Sequence, residues 1–354
     1  MNRKIILKSR PEKEPLKENF QIIEKDLNTV ELGQVQLKSI YLSLDPYMRG
    51  RMNAGRSYAK PVELGTVMEG EAVSEVIESN SDKFNKGDIV IGRTGWQTMP
   101  LVSENIIEKV HNPDLPLSLA LGTLGMPGRT AYIGMMNIGN PKEGETLVVS
   151  AASGAVGSVV GQIGKIYGCR VVGVTGNEAK STYVKDELGF DHCLNYNDDN
   201  FEKKLGEVCK NGVDIYWENV GGKTFNAVYP HFRDFARIPV CGVISMYNNQ
   251  SQQLEQDRLP MLFRNVLTWR LRIQGFIVSE FPEQKLEAMQ HLEKWYIEGK
   301  LKYREDVVEG LDNMVEAFQG LLRGDNFGKL LICLLYTSDA ADDSLRVDLG
   351  GRRI

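Results

Sequence analysis

The sequence predicts an α/β chain, in which a compact, mostly β region is followed by a doubly wound parallel sheet. Three observations carry this. The apolar run Thr146–Ser150 (TLVVS) leads directly into AASGAVGSVVGQIGK, Ala151–Lys165, giving a strand, a Gly-rich turn and a helix in that order. Past it, short apolar strands alternate with helical stretches, the pattern of parallel βαβ units. Before it, over residues 1–125, strands are short and Gly and Pro punctuate between them.

Taken in order, the first region offers strands at Gln34–Leu42, Gly65–Glu78 and Gly87–Gly92. A Pro/Leu-rich link, His111–Leu121, leads into LGTLGMPGRTAY, Leu121–Tyr132. After the Gly-rich turn the reading is strand Arg170–Thr175, helix Lys180–Leu188, strand His192–Tyr196, a helix around Asn200–Lys210 and strand Val213–Val220. Helix Thr224–Asp234 and strand Arg237–Ile244 follow, then a helix around Pro260–Trp269 and strand Arg272–Val278.

The Gly-rich turn carries the chemistry. Gly154 and Gly157 sit where strand turns into helix, so the backbone N–H groups and the helix N-terminus can face an anion without side chains in the way. Gly161 is expected to let helix and sheet pack closely. Ala151 stands where the usual dinucleotide fingerprint has its first Gly. An NAD site places an acid at the end of the next strand to bond the ribose 2′-hydroxyl. Here that strand ends Val174-Thr175-Gly176-Asn177, and the following Lys180 suits a 2′-phosphate, so NADPH is the expected cofactor.

Composition excludes other classes. With 42% apolar and 25% charged residues the 354-residue chain is ordinary for a globular protein. Its net charge of −5, without a long basic run, argues against nucleic acid as a partner. No apolar stretch approaches a membrane span, and the apolar run in MNRKIILKSRPEKEP is too short for a secretory signal, so a cytoplasmic protein is expected. The five cysteines are scattered and none forms C-x-x-C, which implies neither a disulfide framework nor a structural zinc site.

Six ordered segments then resemble one family: YLSLDPYMRGRM (Tyr41–Met52), LGTLGMPGRTAY, AASGAVGSVVGQIGK, ENVGG (Glu218–Gly222), CGVISMYN (Cys241–Asn248) and GDNFGK (Gly324–Lys329). Together they are similar to the zinc-independent medium-chain dehydrogenases/reductases, in the prostaglandin reductase, leukotriene 12-hydroxydehydrogenase and alkenal double-bond reductase group. The resemblance implies a GroES-like β domain at 1–125, a Rossmann domain at 126–295 and a segment at 296–333 returning to the first domain. Zinc members carry a Gly-His-Glu near the present Leu64-Gly65-Thr66-Val67. No cysteine precedes Cys169 and the only earlier histidine is His111, so the first domain lacks the usual ligand set and no metal is expected.

The reaction implied is reduction of a carbon–carbon double bond conjugated to a carbonyl, in a small enone or enal, by a homodimer. Tyr247 and Tyr47 match family positions at the substrate. Gly154, Ala155, Val156 and Gly157 match the pyrophosphate turn, and Lys180 and Tyr196 the 2′-phosphate end. Asn219, Cys241, Gly242, Val243, Ile244, Ser245, Met246 and Tyr247 match the loops at the nicotinamide half, as do Phe276, Ile277 and Val278, and Asn326 matches a late contact. Cys241 is expected to be inert in a buried strand, and Arg49 to tie its loop down without a catalytic role. A quinone reductase of the same branch and a low-turnover NADPH-binding protein are the alternatives. Residues 334–354 lack periodicity and are expected to be a non-native, disordered tail.

Overall fold

The computed structural model describes residues 1–55, 57–248 and 259–335. Of the tail expected over 334–354, the residues from Tyr336 lie outside these, while Leu334 is buried and its amide donates to the Ile40 carbonyl (2.9 Å), so it belongs to the first sheet's packing and not to a disordered tail. Two large sheets organise the chain. The first is built from β3 (Gln34–Ser43), β4 (Ala72–Ser79), β5 (Ile89–Gly92), β6 (Leu101–Ser103) and β7 (Ile107–Lys109), with β1 (Asn2–Leu7) and β2 (Phe20–Lys25) forming a separate hairpin. The short helix α1 (Tyr47–Arg51) follows β3, and α2 (Met126–Gly134) leads out of this region.

The second sheet comprises β8 (Thr146–Ser150), β9 (Arg170–Thr175), β10 (His192–Asn195), β11 (Val213–Trp217), β12 (Phe232–Val240) and β13 (Arg272–Gly275). All its pairings are parallel, in the order β10-β9-β8-β11-β12-β13. The helices of this region are α3 (Gly157–Ile166), α4 (Glu178–Asp186), α5 (Phe201–Val208), α6 (Gly222–Val228), α7 (Leu259–Thr268) and α8 (Lys285–Ile297). Every residue of β8 is buried, as a central parallel strand covered on both faces requires. The strand order reverses between β8 and β11, where open α/β sheets leave a crevice at their carboxyl ends.

After β14 (Glu305–Glu309) and α9 (Met314–Arg323), β15 (Lys329–Cys333) enters the first sheet antiparallel to β3. Lys329 fastens it. Its buried ammonium donates to Ser43 Oγ (2.6 Å), Leu44 O (2.9 Å) and Asp45 Oδ1 (2.7 Å). Among the described residues no helix is long and apolar enough to cross a membrane.

Several local readings are corrected. The helix expected over Thr224–Asp234 stops at Val228, because Pro230 has no N–H to continue it, and β12 starts at Phe232 instead of Arg237. That strand ends at Val240, so Cys241 opens the following turn and is only half-buried. The next strand ends at Gly275, not Val278, because its partner runs out: the last register pair is Val240 with Gly275. The strand read over Gly65–Glu78 begins at Ala72, and that read over Val213–Val220 ends at Trp217. Gly161 faces a ring, since a Cβ there would lie 1.8 Å from Phe190 Cζ. Gly164 is the position pressed onto the sheet, 2.5 Å from Leu147 Cδ2 on the same measure.

Replacing Lys329 by Met should cost about 3–5 kcal/mol in urea denaturation, since it strands the buried Asp45 carboxylate. Adding Asp45→Asn should recover part of that loss.

Candidate active site

The turn after β8 forms an anion cradle. Ala151 has φ +49°, a left-handed conformation that costs a residue with a Cβ about 1 kcal/mol and explains why glycine is usual there. A Cβ on Gly157 would lie 2.3 Å from the Ala151 carbonyl oxygen, so only glycine lets α3 start this close to the strand end. Among the described residues the Ala155 and Val156 amides have no acceptor. They sit at the amino end of α3, where the helix dipole favours negative charge. Gly154 is less crowded, its nearest contact being 3.2 Å.

Lys180 lies in the first turn of α4, capped by the Asn177 side chain. It is almost completely buried, and its ammonium donates to the Gly324 carbonyl at the end of α9 (2.6 Å). Burial lowers its pKa, with Asp325 and Asp306 opposing. Tyr196 follows β10 with its hydroxyl beside Gly176, at the end of β9. The Asn326 side chain is engaged locally, donating to the Gly328 carbonyl (2.8 Å) in the turn before β15.

At the switch point, Ser150, Glu218 and Asn219 join the carboxyl ends of β8 and β11. Asn219 donates to the Ser150 carbonyl (2.7 Å) and accepts from the Trp217 indole (3.1 Å). Glu218 Oε1 accepts from the Ser150 and Tyr216 hydroxyls and from the Val220 and Gly221 amides. Burial raises the Glu218 pKa, and these hydrogen bonds pull it back. The turn from Cys241 to Tyr247 is fixed to the same edge. The Cys241 and Gly242 amides donate to Glu218 O, Ile244 to Asn219 O, and Ser245 to Val220 O. Val243 and Met246 complete that turn, which closes on itself through Met246 N–H to Val243 O (2.9 Å). Phe276 packs edge-on against Trp217 with ring centres 5.8 Å apart, Val278 packs against the same cluster, and Ile277 lies half-buried between them in sequence.

The two tyrosines come from opposite regions, Tyr47 from the helix after β3 and Tyr247 from the turn after β12. The Tyr247 ring folds back over Gly242, where a Cβ would come within 3.2 Å of the hydroxyl. Tyr47 opens α1 directly after Asp45 and Pro46. Between them stands Tyr58, whose ring lies 4.6 Å from the Arg51 guanidinium; the same guanidinium is 5.7 Å from the Tyr47 ring. Arg51 is held by Glu69 (2.7 Å). All three phenols are shifted upwards, first by burial. Asp45 and Glu69 add to this at Tyr47, and Cys241 and Tyr58 at Tyr247. The Cys241 thiol is pushed up to about 12 by burial, so it stays protonated.

Arg49 does tie its loop down, and reaches further. Its buried guanidinium donates to Lys13 O (2.7 Å), Asn53 Oδ1 (2.7 Å) and, across the cleft, Asn248 Oδ1 (3.2 Å). Sequence reasoning missed Glu218 as a hub and gave no role to Tyr58. The Tyr58 aromatic near DPYMR was the signal available; nothing local marked Glu218.

A parallel-sheet dinucleotide domain joined to a β domain, with the cleft between them, defines a medium-chain dehydrogenase/reductase. Residues 3–110 match the profile described as the N-terminal domain of oxidoreductase, and residues 155–294 match that described as zinc-binding dehydrogenase. The chain is 49% identical over 333 residues to the NADPH-dependent curcumin reductase of Escherichia coli (strain K12), covering 94% of this chain and 96% of that protein. It is 42% identical over 323 residues to prostaglandin reductase 1 of Bos taurus, covering 90% and 94%. A crystal structure of CurA from Vibrio vulnificus in complex with NADPH superposes with a TM-score of 0.90 at 48% identity, covering 95% of this chain and all (100%) of that one. The chain belongs to the zinc-independent group of the medium-chain dehydrogenases/reductases.

The second profile's name implies zinc, and the donor set does not fit it. Among the described residues no group of three or more His, Cys, Asp or Glu side chains is placed to hold a metal ion, and His111 is engaged by Glu293 (3.1 Å). The cradle does fit a dinucleotide, with two unpartnered amides and a contact that only glycine allows.

Gly157→Ala should weaken NADPH binding at least tenfold (titrated by fluorescence) while leaving the far-ultraviolet circular dichroism unchanged. Lys180→Ala should raise KM for NADPH about tenfold or more, as loss of a charge-assisted contact would, and leave KM for NADH unchanged.

Proposed function

We propose that this chain reduces the carbon–carbon double bond of α,β-unsaturated aldehydes and ketones with NADPH, without a metal. It is an NADPH-dependent oxidoreductase, and the reading is supported by the anion cradle after β8, with its two unpartnered amides, together with the likeness to the NADPH-dependent curcumin reductase and prostaglandin reductase 1.

When bound, NADPH supplies the hydride, which adds to the β-carbon of the enone. The residues of the chain do the rest. The Ala155 and Val156 amides, with Gly154 and Gly157, hold the pyrophosphate, and Lys180 exchanges the Gly324 carbonyl for the 2′-phosphate, near Tyr196. Asn219, the Cys241–Tyr247 turn and Phe276–Val278 shape the nicotinamide end, and Asn326 closes the site from the returning segment. Tyr247 and Tyr47 donate to the carbonyl oxygen, where negative charge develops as the hydride arrives. Donors already aimed at that position need no reorganisation during reaction. The α-carbon then takes a proton, giving the saturated carbonyl.

The chain is further proposed to work in the cytoplasm as a homodimer. All five thiols are unpaired, which suits a reducing compartment. Strand β13 lies at the open edge of its sheet, and α7 exposes Phe263 and Leu267 at 66% and 78%. An open edge beside apolar surface suits a second copy.

With a short 2-alkenal, NADPH should be consumed, NADH much less so, and the product should be the saturated aldehyde by mass. An allylic alcohol would mean that the wrong bond has been assigned. Tyr247→Phe should lower kcat about 10–100-fold, somewhat less than loss of a backbone oxyanion donor. Because burial raises both phenol pKa values above 10, the hydroxyls keep their protons through pH 9. The rate should therefore show no fall between pH 7 and 9 from tyrosine ionisation.

A further inference from the structure

Apart from the cleft, the structure contains a cavity of about 330 Å³ where the first region meets α8, within the size range of small-molecule sites. Its lining is largely apolar: Ile91 from β5, Leu115 and Leu119 from the link, Leu124 just before α2, and Leu286 and Met289 from α8. Its charged lining is mostly cancelled. Lys109 pairs with Asp88 (2.8 Å), His111 with Glu293 (3.1 Å) and Lys285 with Glu108 (2.5 Å). Glu293 also accepts from the Asn112 amide (2.5 Å), so both lining carboxylates are occupied.

Arg129, in α2, is different. It lines the same cavity and is half-buried, yet its guanidinium has no hydrogen bond or ion pair among the described residues. Glu71 is near enough to feel it: burial raises the Glu71 pKa and Arg129 opposes that, but no hydrogen bond joins the two. A half-withdrawn guanidinium with five N–H donors and no acceptor is an incomplete arrangement. A carboxylate completes it bidentately.

We propose that this cavity is a second ligand site, for a small amphipathic carboxylate whose anion sits on Arg129 and whose chain lies on the leucine-rich lining. Nothing in the reductase chemistry uses this cavity, so the inference stands apart from the function proposed above. The site selects for charge and tail together: the apolar lining holds aliphatic chains generally, and Arg129 discriminates acid from alcohol.

The probe is sodium octanoate, titrated calorimetrically into the intact protein with NADPH present, with octan-1-ol as the uncharged control. Octanoate should bind saturably at one site, at least tenfold more tightly than octanol. Arg129→Gln should weaken octanoate about tenfold or more, the share of a charge-assisted hydrogen bond, and leave octanol unchanged. Leu286→Trp, at a half-exposed position that a ring can occupy without refolding, should weaken both ligands. Turnover of a short 2-alkenal should stay within twofold of wild type in both variants. Equal octanoate affinity in wild type and Arg129→Gln would overturn the proposal. So would octanoate that is displaced by the enone and insensitive to Leu286→Trp, because it would then occupy the reductase cleft.

Discussion

The buried ammonium of Lys329 is the interaction on which the cleft depends. A lysine withdrawn from water is costly unless all its protons are used. Here three acceptors, Ser43 Oγ, Leu44 O and Asp45 Oδ1, take them. Ser43 in turn donates to the other oxygen of Asp45. This network pins β15 to the end of β3, and Pro46 and Tyr47 follow immediately. The place of Tyr47 is therefore set by a contact between residues more than 280 positions apart.

The facing wall is rigid for a related reason. Hydrogen bonds from the Cys241–Tyr247 turn run to the backbone of Glu218, Asn219 and Val220, and the Glu218 side chain gathers four donors on one oxygen. Tyr247 thus sits on a turn tied to two strand ends instead of on a free loop. Arg49 then bridges the walls through Asn248. The cleft is assembled from carboxyl ends, where a parallel sheet leaves its backbone groups unpaired and a ligand can meet them.

Much of this was legible in the sequence because it depends on local rules. The Gly-rich turn announces itself: Gly157 is required by a backbone contact only a few residues away, and the alternation of strands and helices fixes the sheet. What escaped depends on distant partners. Gly161 faces Phe190, which no local pattern links to it, so its packing was assigned to the sheet. The hub at Glu218 exists because β8 and β11 are neighbours although β9 and β10 lie between them in sequence. Lys180 was readable as a base near a strand end, but its bond to Gly324 needs the returning segment. The early start of β12 follows from Pro230, a breaker whose effect the helical pattern around it masked.

The most direct measurement is the fate of the hydride. NADPH deuterated at the transferring C4 position, supplied with a short 2-alkenal, should place deuterium on the β-carbon of a saturated aldehyde, read by proton and deuterium NMR. Deuterium on the carbinol carbon of an allylic alcohol would contradict the account, because the hydride would then have added to the carbonyl and not to the double bond.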